Sequence, residues 1–518
     1  MQQSNTVRVL FVFATIFAFL FHRQYLGLNL VVFEALLLGW FAYTKQIRLQ
    51  SFFEKFVLAA LILTLGFTIL NHSYWSYTIH FSVMFVYIGV LIAPKTKSLI
   101  NVVGMSLSNV FLSYSELFSQ KEGDPVKMEK SSKRRIQFRR LKYYLIPLAV
   151  IILFATLYGF ANPEFGEYVD AILGELYQTL KFFLESIDLW WILTFMLGLI
   201  VCIFMLKRRR NEVLAKNDAD SLDDKIRVKN KPASSMMRLK NEYRAGIFLF
   251  GALNLLLLLM NIMDIDRVWF NFEFEGQYLK QFVHYGTIVL IIAILLSIVL
   301  VLTFFRGNLN FYKKNVWLKR LCYLWLAQNA ILAISAGVRN YYYIQYYSLA
   351  YKRIAIVFFL ILVLYGLFSV FIKIRDTRSN FYMLRKNAIA WLLVLTVSAG
   401  FNWDRIIARY NFSRHDGAFV HLNFLASLSD SALPYLDQPT DKVVSIDKQQ
   451  RRWLGSFESG SHFYKRYRNM YMTPEKYGML IEFRKTVFRK RWKQKSWLEW
   501  NYADWKAHKE LEARSKEN

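Results

Sequence analysis

The chain has 518 residues, of which 55% are hydrophobic and 17% aromatic, with only 8 prolines and a positive mean hydropathy. So much apolar side chain excludes an ordinary water-soluble fold. The net charge of +29 would suit a nucleic-acid binder, but cytoplasmic loops of membrane proteins carry the same excess and meet anionic headgroups, so nucleic acid is set aside as a partner.

The apolar residues gather into windows long enough to cross ~30 Å of hydrocarbon as helices. They predict an all-α fold, a polytopic transmembrane helical bundle of about eleven spans. In chain order the spans are 7–22, 26–44, 53–71, 74–93, 143–161, 189–206, 245–263, 284–305, 318–337, 353–372 and 387–402. Backbone groups in lipid have no outside partners, and the windows lack the alternation of a barrel strand, so helices are the reading. The first window, with Arg8 as its only early cation and no small-residue cleavage pattern, reads as an uncleaved anchor. Cys202 and Cys322 fall inside spans and read as packing residues; no cofactor or metal site is expected.

Lysine and arginine set the orientation. Lys133, Arg134, Arg135, Arg139 and Arg140, and then Lys207 to Arg210, belong on the cytoplasmic side. The alternate loops are acidic, with Glu164, Glu167, Asp170, Glu175, Glu185 and Asp188 in one and Asp264, Asp266, Glu273 and Glu275 in another. The amino terminus is therefore expected inside and everything beyond Trp403 outside. Two stretches, 164–187 and 100–117, repeat apolar residues every three or four positions and read as helices lying along the membrane surface. Segment 207–244 mixes both charges and reads as a flexible cytoplasmic linker.

Ionisable side chains at membrane depth are functional candidates by default. Glu34 is the clearest, His80 is weaker, and Asn254, Gln328 and Asn329 are uncharged. Between the ninth and tenth spans lies the unusual run 339–353, in which Arg339, Lys352 and Arg353 sit on the side that disfavours cations. Arg339, Tyr343 and Tyr347 share a helical face there, suited to an anionic headgroup. A second cluster leaves the last span: Asn402, Asp404, Arg405, Arg409, Tyr410 and Asn411. The two are expected to meet as one polar, aromatic-walled, ligand-binding site, with Asp404 neutralising Arg339 or Arg353.

Positions Arg339, Tyr343, Ile344, Tyr347, Leu349 and Arg353, followed by Asn402, Asp404, Ile407, Ala408, Tyr410 and Asn411, carry a resemblance. They are similar to a bacterial polytopic membrane family catalogued only as a domain of unknown function, from about the fifth span to Pro434, with a looser echo in 497–511. Two residues depart from the family pattern: its glycine and threonine are Ser348 and Ala350 here. The resemblance implies a bacterial cytoplasmic membrane and a helical fold; it implies no activity.

The chain thus divides into four spans (1–95), an amphipathic segment with a basic loop (96–142), two spans flanking a surface helix (143–206), the linker (207–244), five spans (245–402) and an extracytoplasmic region (403–518). That last region is short of aliphatic residues for a large core and is expected to be a helical appendage, frayed over 507–518. The leading functional expectation is a non-catalytic membrane component that binds membrane lipids or a protein partner through its outer face. An extracytoplasmic transferase acting on lipid-linked substrates is the first alternative, disfavoured because the first outer loop, His22 to Tyr25, has no carboxylate. A transporter is the second, disfavoured by few intramembrane charges.

Overall fold

The computed structural model describes residues 2–118, 151, 174–175, 188–227, 236–272, 276–305, 308–455 and 471–517. The expected span 143–161 and surface helix 164–187 lie almost wholly outside these, as do the basic loop 121–142, Glu273 and Glu275. Among the described residues the chain is all-helical. In order, the helices are α1 (Gln2–Phe21), α2 (Leu28–Tyr43), α3 (Phe52–Asn71), α4 (Tyr74–Ile92), α5 (Leu99–Phe118), α6 (Leu189–Leu206), α7 (Glu212–Asp220), α8 (Met236–Asp264) and α9 (Gly276–Phe304). Then follow α10 (Val316–Tyr347), α11 (Tyr351–Arg375), α12 (Asn380–Ala399), α13 (Trp403–Ser413), α14 (Leu422–Ala426), α15 (Leu433–Leu436), α16 (Thr440–Gly455), α17 (Pro474–Gln494) and α18 (Tyr502–Glu517).

Six helical segments are long and apolar enough to cross a membrane: α3, α4, α6, Leu239–Phe270, α10 and α11. The bent pair α12 and α13 forms a seventh candidate, and Val7–Phe21, Leu28–Tyr43, Leu99–Tyr114 and Ile288–Phe304 are shorter apolar helices. Uncharged runs set their depth. Residues 245–263, 321–338 and 354–372 contain no ionised side chain, and at 1.5 Å per residue each covers about 27–29 Å, the thickness of the hydrocarbon layer.

The chain forms two compact units. The first comprises Met1–Tyr25 and Ser108–Arg209. In it α1 packs along α6 at Gly198, where a Cβ would lie 2.9 Å from the Phe17 ring and 3.1 Å from the Ala14 carbonyl. Small residues let apolar helices approach this closely where lipid gives no hydrophobic drive. Asp188 caps α6 by accepting from the Trp190 and Trp191 amides, and it pairs with His22 at 2.9 Å.

The second unit comprises Leu26–Leu107 and Arg210–Asn518. Its long helices run up and down, and one end of this bundle carries α13 to α18. These helices have a core of their own, built from Ile407, Phe412, Leu425, Leu433, Ile446, Tyr477, Phe488 and Leu511 among others. The expectation of too few aliphatic residues is corrected here: leucines and alanines scattered over short helices converge once the turns bring them together. The final helix does not fray at its start either, because Ala507 and Leu511 are buried and Arg514 donates to the Asp437 carbonyl at 3.0 Å.

The stretch expected as a flexible linker is folded over 211–227. Asp218 accepts from the Lys97 amide at 2.7 Å, the Ser98 amide at 3.0 Å and Asn101 at 2.8 Å, which pins α7 beside the start of α5. Asp223 pairs with Arg385 and Asp224 with Arg378, so the mixed charges of this segment are matched to cations at the α11–α12 turn. Lys225 donates to the Phe305 carbonyl at 2.6 Å; burial, and after it the neighbouring Lys373 charge, lower its pKa to about 8.

Candidate functional site

The site grows from the turn between α10 and α11. α10 is 32 residues long, about 48 Å, so its last turns pass beyond the hydrocarbon layer. Arg339 sits where its uncharged run ends, and its guanidinium pairs with Asp264, the last residue of α8. Ser335, one turn earlier on α10, donates to the same carboxylate. Both charged groups are buried, at 3% and 4% exposure. Directly after Asp264 the chain widens into a π-helical turn, Ile265–Phe270, from which Trp269 donates to the Ser335 hydroxyl at 3.2 Å.

Arg353 is held differently. Its guanidinium donates to the Tyr347 carbonyl at 2.6 Å and to the Ser348 carbonyl, and stacks 4.3 Å from the Tyr343 ring centroid. Carbonyls at a helix C-terminus carry partial negative charge, so α10 itself stabilises this cation. Tyr343 and Tyr347 lie 4.9 Å apart on one face. The turn then requires Ser348 to adopt φ 67° and ψ 177°, a region that L side chains rarely enter.

The second motif cluster meets this turn. Asn411 accepts from the Leu349 amide at 2.7 Å and donates to the Leu349 carbonyl at 3.0 Å, reading the backbone as a neighbouring strand would. Ser348 donates to the Phe419 carbonyl at 2.9 Å, and the Phe419 amide donates to the Tyr346 carbonyl at 2.9 Å. Asn402 caps α13 through the Arg405 amide at 3.1 Å and donates to the Asn71 carbonyl at 3.2 Å. Asp404 accepts from the Tyr351 hydroxyl and from the Ser429 amide at 3.0 Å. The expected neutralisation by Asp404 is therefore corrected: the carboxylate on Arg339 is Asp264, and Asp404 ties α11 to the 427–431 turn. Arg409 is exposed and Tyr410 half-buried.

A family match covers most of the chain. Residues 7–438 match the family described as Domain of unknown function (DUF4153). The chain belongs to this family. No curated protein and no solved structure matches it. Both motif clusters lie inside the DUF4153 match, and so does the whole α10–α11–α13 junction. Helices α16, α17 and α18 lie beyond it.

On the surface of the same junction an open cleft of about 280 Å³ is lined by Tyr341, Tyr342, Gln345, Tyr346, Arg414 and Gly417. Arg414 donates to Gln345 at 3.3 Å, and Tyr342 stacks on Phe272 with ring centroids 4.0 Å apart. Neither Arg414 nor Gly417 stood out in the sequence; the signal was confined to the tyrosine run opposite them. Of the predicted site residues, Tyr343 and Arg353 flank the cleft turn, while Asn402, Asp404 and Asn411 hold the elements that frame it.

Past the DUF4153 match, the carboxyl-terminal segment docks on the same end of the bundle. The Leu28 amide donates to the Trp500 carbonyl at 3.1 Å, and a Cβ on Gly27 would lie 2.4 Å from the Glu499 backbone. Asp504 accepts from Lys495 at 2.7 Å and Asn501 at 3.1 Å, with His72 at 3.8 Å. Burial lowers the His72 pKa, Asp504 opposing and Lys495 reinforcing it. Burial would raise the Asp504 carboxyl, but the charges of His72 and Lys495 and two hydrogen bonds outweigh it and hold it below the ordinary carboxylate range.

Proposed function

We propose that this protein is a polytopic component of the bacterial cytoplasmic membrane that binds an anionic lipid headgroup in the cleft of Tyr341, Tyr342, Gln345, Tyr346 and Arg414. The observation that carries the reading is the cleft's chemistry at its depth. Three phenols, an amide and a guanidinium line it, with no carboxylate among the described lining residues, just beyond the point where α10 leaves its uncharged run. Tyrosines suit the headgroup layer because the ring is apolar and the hydroxyl polar, and arginine grips phosphate with paired donors. A cleft lacking an acid or base favours binding over group transfer.

Eleven spans and an outward-facing carboxyl-terminal region fit this reading. The bundle end remote from α13 to α18 is rich in cations, among them Lys45, Arg48, Lys55, Lys95, Lys97, Lys225, Arg378 and Lys386, as the cytoplasmic ends of membrane helices are. The amino terminus is then inside and the cleft outside.

Native mass spectrometry of the purified protein released from nanodiscs tests this. Retention of phosphatidylglycerol should exceed that of phosphatidylcholine, and Arg414→Ala should weaken it by about tenfold, the loss of one charge-assisted hydrogen-bonding group. Equal retention of both lipids by wild type and variant would reject the reading.

A further inference from the structure

A separate group lies inside the second unit, away from the cleft and independent of it. Glu34 on α2, Thr64 on α3 and His80 on α4 converge where three apolar helices meet, and none is more than 1% exposed. His80 Nε2 lies 2.7 Å from Glu34 Oε1, and His80 Nδ1 lies 3.1 Å from the Thr64 hydroxyl oxygen. Glu34 is two turns in from the end of α2 that meets the carboxyl-terminal segment, and His80 is at the matching level on α4.

Counting protons fixes what this group holds. With the Thr64 hydroxyl donating to the Ala60 carbonyl at 2.8 Å, it accepts toward His80, and this arrangement places a hydrogen on His80 Nδ1. The remaining 2.7 Å contact between Nε2 and Oε1 then contains a proton, either as imidazolium with carboxylate or as imidazole with carboxylic acid. Both forms are neutral as a pair, which is what burial demands. Losing that proton would leave two lone pairs facing each other and a bare buried charge. Gaining one also leaves a single buried charge, but it sets no lone pairs against each other, because Glu34 Oε2 is buried with no hydrogen-bond partner among the described residues and is open to take it.

From these contacts we infer that Glu34, His80 and Thr64 form an intramembrane proton-binding site, neutral at rest and able to take up a second proton at Glu34 Oε2. In the charged form that proton makes the carboxylic acid, and the proton already shared rests on His80 Nε2 as imidazolium. Among the described residues of α2, α3, α4 and α12 no competing charge stands at this level. Glu34 is the only charged residue of α2 and His80 the only one of α4 apart from tyrosines; on α3, Glu54 and Lys55 stand at the opposite end. α12 runs beside α3, joined where Asn71 donates to the Ala399 carbonyl, so Leu392 lies level with Thr64, and Arg385 and Lys386 lie two turns further off. Tyr77 and Tyr87 flank His80 along α4. Tyr77 is one turn nearer the carboxyl-terminal segment, and its hydroxyl meets His72 Nδ1 at 2.8 Å. His72 in turn faces Asp504, so Tyr77, His72 and Asp504 are the ionisable groups met toward the docked segment.

The test uses the full-length protein in nanodiscs, with proton uptake counted by an indicator dye on acidification from neutral pH to the acid limit of the folded state. Wild type should take up about one proton per chain more than the double variant Glu34→Gln, His80→Gln. The extra proton should register as a carboxylic C=O band or as a new imidazolium signal in a histidine-labelled sample. The same labelled wild type at neutral pH should show His80 protonated at Nδ1. Equal uptake by both proteins, or a His80 whose Nδ1 is unprotonated at neutral pH, overturns the inference. The second outcome is read on wild type alone, so it stands whether or not the variant folds.

Discussion

Ser348 ends α10 in a backbone region that suits glycine. Two substitutions separate its opposing contributions. Ser348→Ala keeps the strained backbone and removes the hydrogen bond to the Phe419 carbonyl, a loss of about 0.5–1.5 kcal/mol. Ser348→Gly removes the same bond but relieves strain of about 1–3 kcal/mol. Against that, glycine's greater freedom in the unfolded chain costs about 0.5–1 kcal/mol relative to alanine. The glycine variant should therefore be more stable than the alanine variant by about 1 kcal/mol and close to wild type. Titration with SDS in mixed micelles, read by tryptophan fluorescence, gives the order. An alanine variant at least as stable as the glycine variant would refute the claim that this turn is strained.

Removing one member of the buried pair should be costly: Asp264→Ala or Arg339→Ala each leaves an uncompensated ion and should lower stability by about 3–5 kcal/mol, seen as lost folded yield and a lower Tm in detergent. A second expectation concerns acid. His72 has a lowered folded pKa, so its contribution is complete above its unfolded value near 6.5 and is lost as pH falls from there through the folded value. Asp504, also held low, adds a further loss below about 3.9. Hydrogen-exchange protection over 495–505, taken relative to the intrinsic rate, should accordingly fall on acidification below about pH 6.5, and His72→Gln should flatten the upper part of that fall.

The helical character was legible because apolar runs between fixed charges have only one solution in lipid, and the ends of 245–263 and 353–372 fall close to the charged boundaries of α8 and α11. The meeting of the two motif clusters was legible too, since 339–353 and 402–411 flank helices that return to the same end. Partner choice was not. Asp264 read as an acid in an outer loop because it follows an apolar run; only the π-helical turn after it and the register of α8 against α10 bring it onto Arg339. Glu34 and His80 stood out singly, but their pairing depends on the rotation of three helices about their axes, which near-uniform hydrophobicity leaves unmarked. The carboxyl-terminal core escaped notice for another reason. Its helices each carry few apolar residues, and these make a core only where six helices converge. The folded segment 211–227 likewise has few apolar residues, and its order comes from Asp218 and Asp223 reaching partners more than a hundred residues away in sequence.

The central claim, a headgroup cleft at the end of α10, is tested most directly by an electron cryo-microscopy map of the protein in nanodiscs made with phosphatidylglycerol. Headgroup density is expected against Arg414 and between the Tyr342 and Tyr346 rings, absent from a matched map of Arg414→Ala. A cleft empty of lipid in wild type, with ordered anionic lipid bound elsewhere on the bundle, would contradict it.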